Sequence, residues 1–317
     1  MVSEKKLSHL KPENIHKNPE NPRIIFREED LDVLMRSIAS VGIQVPLSVY
    51  KKSNTNKYLL IDGERRWRCA LKLGLETVPV IIEPEPSPLN NLLMMFNIHN
   101  VRVQWDLMAL AVKLVRVKDL FFKEQKVELT RTELSDITGV SSATISRCDE
   151  LLNLPSKYQN IIWRELEKPK GEQKYTEDLF LEIRKSIKAI ENYQPEIIKR
   201  YNPSKLLDIF FNKYKAEIVT NRVAFRDISK IARAERVGIS KQKVIPILLK
   251  FIEDENYTID QAYEESVADA YLERDYGRKI SDVIDLMKNI DPIAIDEDIF
   301  GLIEELKDVI DRFISKR

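Results

Sequence analysis

The sequence predicts an α+β protein in which a small mixed α/β domain precedes two all-helical domains. Up to residue 83, short apolar runs bounded by turn residues alternate with stretches of helical spacing. From residue 90 almost to the end, apolar residues recur only with helical spacing. A cluster of three prolines that ends at Pro88 predicts a boundary between the two regions. We therefore expect domains over residues 1–88, 89–167 and 168–317.

The elements of the first domain follow from local patterns. Apolar residues at helical spacing predict a helix over residues 28–40, and Gly42 ends it. Two strands on either side of a polar turn, a helix and a last strand are expected to follow. In order, these four elements cover residues 46–50, 58–61, 63–73 and 78–82. In the helical part, we predict amphipathic helices over residues 107–122, 240–253, 257–269 and 299–314.

The composition is that of a soluble globular protein, with 43% hydrophobic and 32% charged residues. No apolar run approaches the roughly 20 residues that a membrane-spanning helix needs, and the N-terminus lacks the apolar core of a signal peptide. Cys69 and Cys148 lie far apart, which indicates a reducing compartment rather than a disulfide scaffold. The histidines show no metal-ligand spacing with cysteines or carboxylates, so we expect no structural zinc site. These features predict a cytoplasmic protein with no membrane partner.

The formal net charge is zero, but the charges are segregated along the chain. Residues 168–250 hold 19 basic and 10 acidic residues, whereas residues 251–317 hold 8 basic and 19 acidic residues. The basic block could neutralise nucleic-acid phosphates. The acidic block could pair with it inside a dimer or keep DNA away from one face. Ordinary solvated helix faces are the alternative, although they do not explain the segregation.

A glycine-led arginine cluster is the segment that most suggests a ligand. An apolar run stops at Gly63, and an acid and three arginines within four residues then open a helix, as Glu64-Arg65-Arg66-Trp67-Arg68. Glycine lets the backbone approach a ligand closely, and a helix N-terminus attracts anions. Arginines there add paired donors for phosphate oxygens. The segment therefore predicts a polyphosphate site. A solvated charge cluster at a helix start is an equally good interpretation of the residues alone.

Residues 130–147 fit a helix-turn-helix unit. Thr130 and Glu133 predict a capping box for the first helix, Gly139 predicts the turn, and Ser141 can cap the second helix. Small polar residues and one arginine on the second helix suit the major groove of DNA. The residues we expect to contact DNA are Thr130, Ser141, Ser142, Thr144, Ser146 and Arg147. Because residues 127–165 carry 4 basic and 6 acidic residues, tight binding would require dimerisation or the basic block.

These motifs together resemble the ParB family of chromosome and plasmid partition proteins. The likeness covers about the first 165 residues and rests on four segments in the family's order. The four segments are Asn18-Pro19 with Pro22-Arg23, the stretch Ser37 to Val49, Gly63-Glu64-Arg65-Arg66 with Ala70, and the helix-turn-helix with Leu151-Leu152-Asn153-Leu154-Pro155. The resemblance implies an N-terminal domain of the ParB/sulfiredoxin type.

The resemblance also implies a DNA clamp that is switched by CTP and Mg²⁺. Carried over from the family, the nucleotide-binding residues are Arg23, Gly42, Gln44, Gly63, Glu64, Arg65, Arg66, Asn100 and Arg102, with Pro46 near the base and Asn100 as a metal ligand. His99 stands where the family has an acid, and an imidazole is a poor ligand for Mg²⁺. CTP hydrolysis, and hence enzyme activity, is therefore left open. Implied partners are double-stranded DNA, a second copy of the chain and a partition ATPase, in a nucleoid-associated location.

Two other function classes remain open. A small-molecule kinase, such as a free-serine kinase, can be built on the same ParB/sulfiredoxin fold, although the helix-turn-helix argues against it. A transcriptional regulator could keep the fold without using a nucleotide. A reductase is disfavoured because Glu64 occupies the place of the cysteine that sulfiredoxins need. In the C-terminal half, residues 224–253 could form a second helix-turn-helix, but helical packing is the preferred interpretation. The later amphipathic helices could pair between subunits.

Overall fold

The computed structural model describes residues 7–53, 55–99, 105–291 and 295–316, except the side chains of residues 98 and 99. The described residues divide into two compact units, Met1–Lys185 and Ser186–Arg317. The first unit contains a mixed sheet followed by helices, and the second is helical, which confirms the predicted α+β class. None of the described helices is both long and apolar enough to cross a membrane.

The sheet of the first unit has five strands in the order β1-β5-β3-β4-β2. In chain order, the strands are β1 (Leu7–Leu10), β2 (Ile15–His16), β3 (Leu47–Lys51), β4 (Tyr58–Asp62) and β5 (Val78–Glu83). The pairs β1–β5 and β3–β4 are antiparallel, whereas β2–β4 and β3–β5 are parallel. The predicted strands are confirmed to within about a residue. The sequence analysis missed β1 and β2, which are short and sit at the two edges of the sheet.

Helix α1 (Glu28–Val41) packs on α2 (Glu64–Leu73), and α2 packs on this sheet. Gly42 ends α1 and Gly74 ends α2, each with a positive φ. Apolar side chains from β2 to β5 and from α2 form one core cluster, and α1 meets α2 in a second. The principal members of the two clusters are Ile15, Leu47, Val49, Leu60, Ala70, Val78, Val80, Leu31, Ile38 and Cys69. Burial of this apolar surface is the main force that holds the domain together.

In the part of the chain that the structure describes, six helices complete the first unit or lead out of it. They are α3 (Pro88–His99), α4 (Leu107–Gln125), α5 (Arg131–Thr138), α6 (Ser142–Leu152), α7 (Ser156–Leu166) and α8 (Glu177–Tyr193). Helices α3 to α6 share one core, in which Phe96 meets Trp105 edge to face at 5.1 Å between ring centroids. Pro88, the last proline of the cluster, begins α3, because proline is well suited to the first turn of a helix.

The described residues of the second unit continue through seven helices. They are α9 (Pro195–Arg200), α10 (Pro203–Lys215), α11 (Phe225–Ala232), α12 (Lys241–Glu253), α13 (Ile259–Ser266), α14 (Ala268–Asn289) and α15 (Glu297–Ile314). Its core contains Phe210, which stacks on Phe225 and meets Phe251 edge to face. Helices α14 and α15 bury none of their described residues. The helix expected over residues 257–269 is in fact α13 and the start of a separate α14.

Both cysteines are buried free thiols, so we predict that neither reacts in the folded protein. Burial raises the pKa of Cys69, and it raises that of Cys148 to about 12. Since the thiolate is the reactive form, Ellman's reagent at pH 8 should modify both thiols only after guanidinium denaturation. Single Cys69→Ser and Cys148→Ser variants assign the two signals. Rapid modification of the native wild type would contradict the packing described here.

Candidate phosphate cavity and DNA-binding unit

The turn from β4 into α2 requires glycine. Gly63 has a φ of 96°, in the left-handed region that other residues rarely adopt. A Cβ atom added there would lie 3.0 Å from Cγ of Leu47 and 3.2 Å from Nη2 of Arg66. The sequence analysis assigned this glycine to close ligand approach. The structure shows that it also allows close packing between the turn and β3.

The three arginines of α2 point to different partners. Arg65 donates to the main-chain carbonyl of Asp30 in α1. Arg66 pairs with Asp62 at 2.8 Å and donates to the carbonyl of Pro46 at 2.9 Å, and also to that of Val45. Arg68 pairs with Glu64 at 2.6 Å and lies over the ring of Phe26. The acids four residues before Arg66 and Arg68 account for two of these pairings. The three arginines therefore do not converge on a single ligand-binding position.

The loop that carries Arg23 is fixed by buried polar contacts. Asn18 is 4% exposed, and its Nδ2 donates to the carbonyl of Leu60 at 2.8 Å and to Oδ1 of Asn91 at 3.0 Å. Asn21 donates to the buried carboxylate of Glu64 at 2.6 Å. The main-chain N–H of Arg23 donates to Oδ1 of Asn21, which forms a local turn. The loop is therefore held against β4, α2 and α3.

Arg23 and Arg65 meet at a cavity of about 160 Å³. Arg27, Asp30, Asp106 and Lys170 are the other charged residues that line it, together with Trp105 and several apolar groups. Four cations and two carboxylates give the lining an excess of positive charge. Burial, followed by repulsion from Arg65, lowers the pKa of Arg23. The cavity is therefore a place where an anion would relieve crowding of positive charge.

The remaining predicted nucleotide residues lie elsewhere or outside the described residues. Gly42 and Gln44 follow the end of α1 and do not line the cavity; Gln44 donates to the carbonyl of Val41. Gly63, Glu64 and Arg66 occupy the turn and the first residues of α2, but not the lining. Asn100 and Arg102, including the predicted metal ligand, fall outside the described residues. Among the residues that are described, no group of three acidic, histidine or cysteine side chains could hold a metal ion.

Sequence reasoning missed Arg27, Asp106 and Lys170, which the fold brings to the cavity. Arg27 directly precedes α1, Asp106 directly precedes α4, and Lys170 follows α7. No spacing pattern connects three charged residues that are so far apart in the sequence. Only the packing of the sheet domain against the following helices places them together.

The helix-turn-helix forms as predicted. Thr130 and Glu133 make a reciprocal capping box at the start of α5, and Gly139 ends that helix with a φ of 68°. Ser141 accepts the N–H of Thr144 and caps α6. Leu134, Val140 and Ile145 are buried in the common core, whereas Ile137 is only partly buried.

The predicted DNA-contacting residues are grouped at the start of α6 and around the turns. Ser141, Ser142 and Arg147 are exposed, as is Thr130, whereas Thr144 and Ser146 are half-buried. Arg147 already pairs with Asp178 of α8 at 2.8 Å, and both side chains are about half exposed. A DNA phosphate or base would therefore compete with Asp178 for this guanidinium.

A half-buried carboxylate, that of Glu177, connects α4 to α8 beside this ion pair. Glu177 accepts the N–H groups of Leu107 at 3.1 Å and Met108 at 2.6 Å, so it caps α4 from another helix. Burial, partly offset by these hydrogen bonds, raises the pKa of Glu177 to about 6, and Asp106 and Asp178 contribute to the rise. The ionised form is thus costly in the folded protein.

The first unit thus combines a sheet-based N-terminal domain, an arginine-lined cavity and a helix-turn-helix. The model of the ParB N-terminal domain family matches residues 1–97. A probable chromosome-partitioning protein ParB of Pseudomonas putida is 30% identical over 163 residues, which are 51% of this chain and 53% of that protein. The chromosome-partitioning protein ParB of Caulobacter vibrioides is 30% identical over 152 residues, or 47% of each chain. Residues 1–97 therefore belong to the ParB N-terminal domain family.

The chain spans about half the length of the curated relatives it matches. A nucleoid occlusion protein of Oceanobacillus iheyensis is also 30% identical, over 154 residues that are 48% of this chain and 51% of that protein. Among solved structures, a truncated Caulobacter crescentus ParB complexed to the centromeric parS site is 24% identical, with a TM-score of 0.43. That match covers 71% of this chain and 98% of the solved one. The same truncated protein complexed with CTP-γ-S is 25% identical, covers 56% and 92% respectively, and has a TM-score of 0.30.

The raised pKa of Glu177 predicts a pH-dependent stability of the first unit. Because its pKa is about 6 when folded and 4.5 in the reference state, the contribution of Glu177 is fully present below about pH 4.5 and is lost as the pH rises through about 6. In Glu177→Gln the side chain stays neutral. Relative to the wild type, this variant should therefore gain about 2 kcal/mol in free energy of unfolding between pH 4.5 and pH 7.5.

Tryptophan fluorescence during urea unfolding measures this difference, since all three tryptophans lie in the first unit. Glu124→Gln, an exposed change on α4, is the matched control. Parallel pH profiles for Glu177→Gln and the wild type would contradict the assignment.

Proposed function

We propose that the chain is a DNA-binding protein whose hold on DNA is switched by a nucleotide, CTP. It acts in chromosome or plasmid partition, or in related regulation of DNA. One observation carries the proposal. Arg23 and Arg65, which come from two separate motif segments, line one cavity in the same compact unit as the helix-turn-helix. A phosphate-binding cavity and a DNA-reading unit in one folded body are what such a switch requires.

The cavity lining suits the phosphates of a nucleotide. Arginine donates paired hydrogen bonds to phosphate oxygens and stays charged when it is partly buried. Mg²⁺ is bound mainly through substrate phosphates, waters and one or two carboxylates, and it would enter with the triphosphate. CTP is the nucleotide that the resemblance of the motifs implies. Hydrolysis stays open, because the position of the family acid is taken by His99.

The names of the curated relatives support a role in partition. They include chromosome-partitioning and nucleoid occlusion proteins. The exposed polar start of α6 supports double-stranded DNA as the ligand. Because residues 127–165 carry 4 basic and 6 acidic residues, we propose that two copies of the chain bind one site together. A partition ATPase is a further proposed partner, on the ground of the family alone.

A nucleotide-independent regulator is the second candidate. Two of the three arginines in α2 already pair with carboxylates, Arg66 with Asp62 and Arg68 with Glu64. These pairs would suffice for a purely structural role of the turn. DNA binding that is unchanged by any nucleotide would favour this candidate over the proposed switch.

Calorimetric titration with CTP and Mg²⁺ tests the nucleotide site. We expect Arg65→Ala to weaken binding by about tenfold or more, because a hydrogen bond to a charged group contributes roughly 1.5–3 kcal/mol. Arg66→Ala should have a smaller effect, since Arg66 does not line the cavity. Lys72→Ala, an exposed cation on the same helix, is the control. Unchanged affinity in both Arg65→Ala and Arg66→Ala would refute the site.

Selection from a randomised duplex pool, followed by titration of the selected site, tests the DNA-binding unit. Arg147→Ala should weaken binding by about fivefold to 150-fold, corresponding to roughly 1–3 kcal/mol for a base contact. Asp178→Asn should strengthen it, because it removes the carboxylate that competes for Arg147. Arg164→Ala on α7 is the control. Equal affinity of all three variants and the wild type would exclude α6 as the reading helix.

A further inference from the structure

Arg27 is a nearly buried guanidinium with weak partners. Its side chain is 10% exposed. Its Nη2 donates to the two carboxylate oxygens of Asp106 at 3.3 and 3.4 Å and to the carbonyl of Leu166 at 3.4 Å. These distances are longer than those of a good charge-assisted hydrogen bond, roughly 2.7–2.9 Å. Its Nε is buried and has no acceptor among the described residues. A buried charge with incomplete hydrogen bonding is costly, so such a site favours an anionic ligand.

Arg65 shows the same deficiency on the other side of the cavity. One of its Nη atoms donates to a carbonyl, but its Nε is also buried without an acceptor in the described part of the chain. Lys170 completes the lining from the segment after α7. Its side chain is exposed, and no ion pair of Lys170 occurs among the described residues. Arg27, Arg65 and Lys170 come from three distant segments, and each thus has a hydrogen-bond donor available for a ligand at one cavity.

The size of the cavity limits what it can hold. Sites for whole drug-sized molecules are typically about 300–1,000 Å³, and a water molecule takes about 30 Å³ in the liquid. A cavity of about 160 Å³ fits a phosphate group with its hydration rather than a complete nucleotide. The phosphate end of a ligand is therefore the part that this pocket can enclose, while the rest of the ligand would lie outside it.

We propose that Arg27 and Lys170 are further phosphate-binding residues, and that a phosphate group in this cavity competes with Asp106 for Arg27. The inference rests on the proposed nucleotide site and deepens it. Arg23 and Arg65 belong to the sheet domain, whereas Asp106 begins α4 and Lys170 follows α7. A phosphate group held by all four cations therefore connects the sheet domain to the segment that follows the helix-turn-helix. Binding replaces the long Arg27–Asp106 contact with shorter bonds to phosphate oxygens.

Titration of the full chain with two probes, CTP with Mg²⁺ and inorganic tripolyphosphate, tests the proposal. Calorimetry measures affinity, and the fluorescence of Trp105 in the cavity wall gives an independent signal. We expect Lys170→Gln to weaken both probes by about threefold to tenfold and Arg27→Gln by about tenfold or more. Lys174→Gln and Arg36→Gln, which are exposed cations outside the lining, are the matched controls and should bind normally.

The direction in which Asp106→Asn changes the affinity for the probes decides whether Asp106 competes with phosphate. If Asp106 competes with phosphate, this variant binds both probes more tightly than the wild type, by roughly threefold or more. If the Arg27–Asp106 pair is only structural, the variant lowers the melting temperature without tightening binding. Because Arg27→Gln could itself impair folding, thermal melts accompany every variant. Lys170→Gln, at an exposed position, decides the question where Arg27→Gln does not fold.

The outcomes separate this inference from the proposed function. Normal CTP affinity in Lys170→Gln and Arg27→Gln, together with weakened binding in Arg65→Ala, overturns the inference and leaves the nucleotide switch intact. Tripolyphosphate binding that depends on Lys170, without any CTP binding by the wild type, supports the cavity and overturns CTP as the ligand. Failure of both probes to bind the wild type overturns both.

Discussion

The geometry of the candidate site depends on one buried amide. Asn18 joins the carbonyl of Leu60 in β4 to Asn91 in α3, and its Oδ1 accepts the N–H of Glu20. A buried polar group without such partners would cost roughly 1–3 kcal/mol by mutational estimates. The satisfied arrangement therefore permits only one path for the loop that follows. Glu20, two residues on, pairs with cations of α4, so the loop fastens the sheet domain to the helical part of the unit.

Helix α4 contributes both to the contacts that hold the loop after Asn18 and to the region of the cavity. Near its middle, Lys113 donates to the carbonyl of Pro19 at 2.8 Å, and Arg116 pairs with Glu20 at 3.1 Å. At its start, Asp106 lines the cavity, and the first N–H groups are capped by Glu177 of α8. Asp178, the residue after Glu177, pairs with Arg147 in α6. The cavity wall and the start of α6, which is the proposed DNA-binding surface, are thus joined by one continuous series of contacts, and this series is a physical route for coupling.

Local signals made much of the first unit predictable, whereas contacts between distant segments did not. The capping box of Thr130 and Glu133 and the turn at Gly139 lie within a few residues of each other, and both formed as expected. The pairing of Arg66 with Asp62 is also local, since the two residues are four positions apart at the junction of β4 and α2. By contrast, the convergence of Arg27 and Lys170 depends on tertiary packing that no periodicity encodes. Strands of two to four residues, such as β2 and β1, are too short to show alternation.

Some of the charges that are segregated in the C-terminal half of the sequence are buried or paired in the folded chain. Lys213 is buried and donates to the carbonyls of Asp254, Glu255 and Tyr257, so its charge is committed to holding the chain after α12. Arg200 instead pairs with Glu253 at 2.9 Å, with both side chains well exposed. Exposed pairs contribute little to stability, commonly about 0–1 kcal/mol, so a DNA phosphate could displace the acid from Arg200 but could not recruit Lys213. The net charge of the basic block therefore overstates the phosphate-binding surface, and part of the acidic block neutralises it within the same unit rather than only across a dimer.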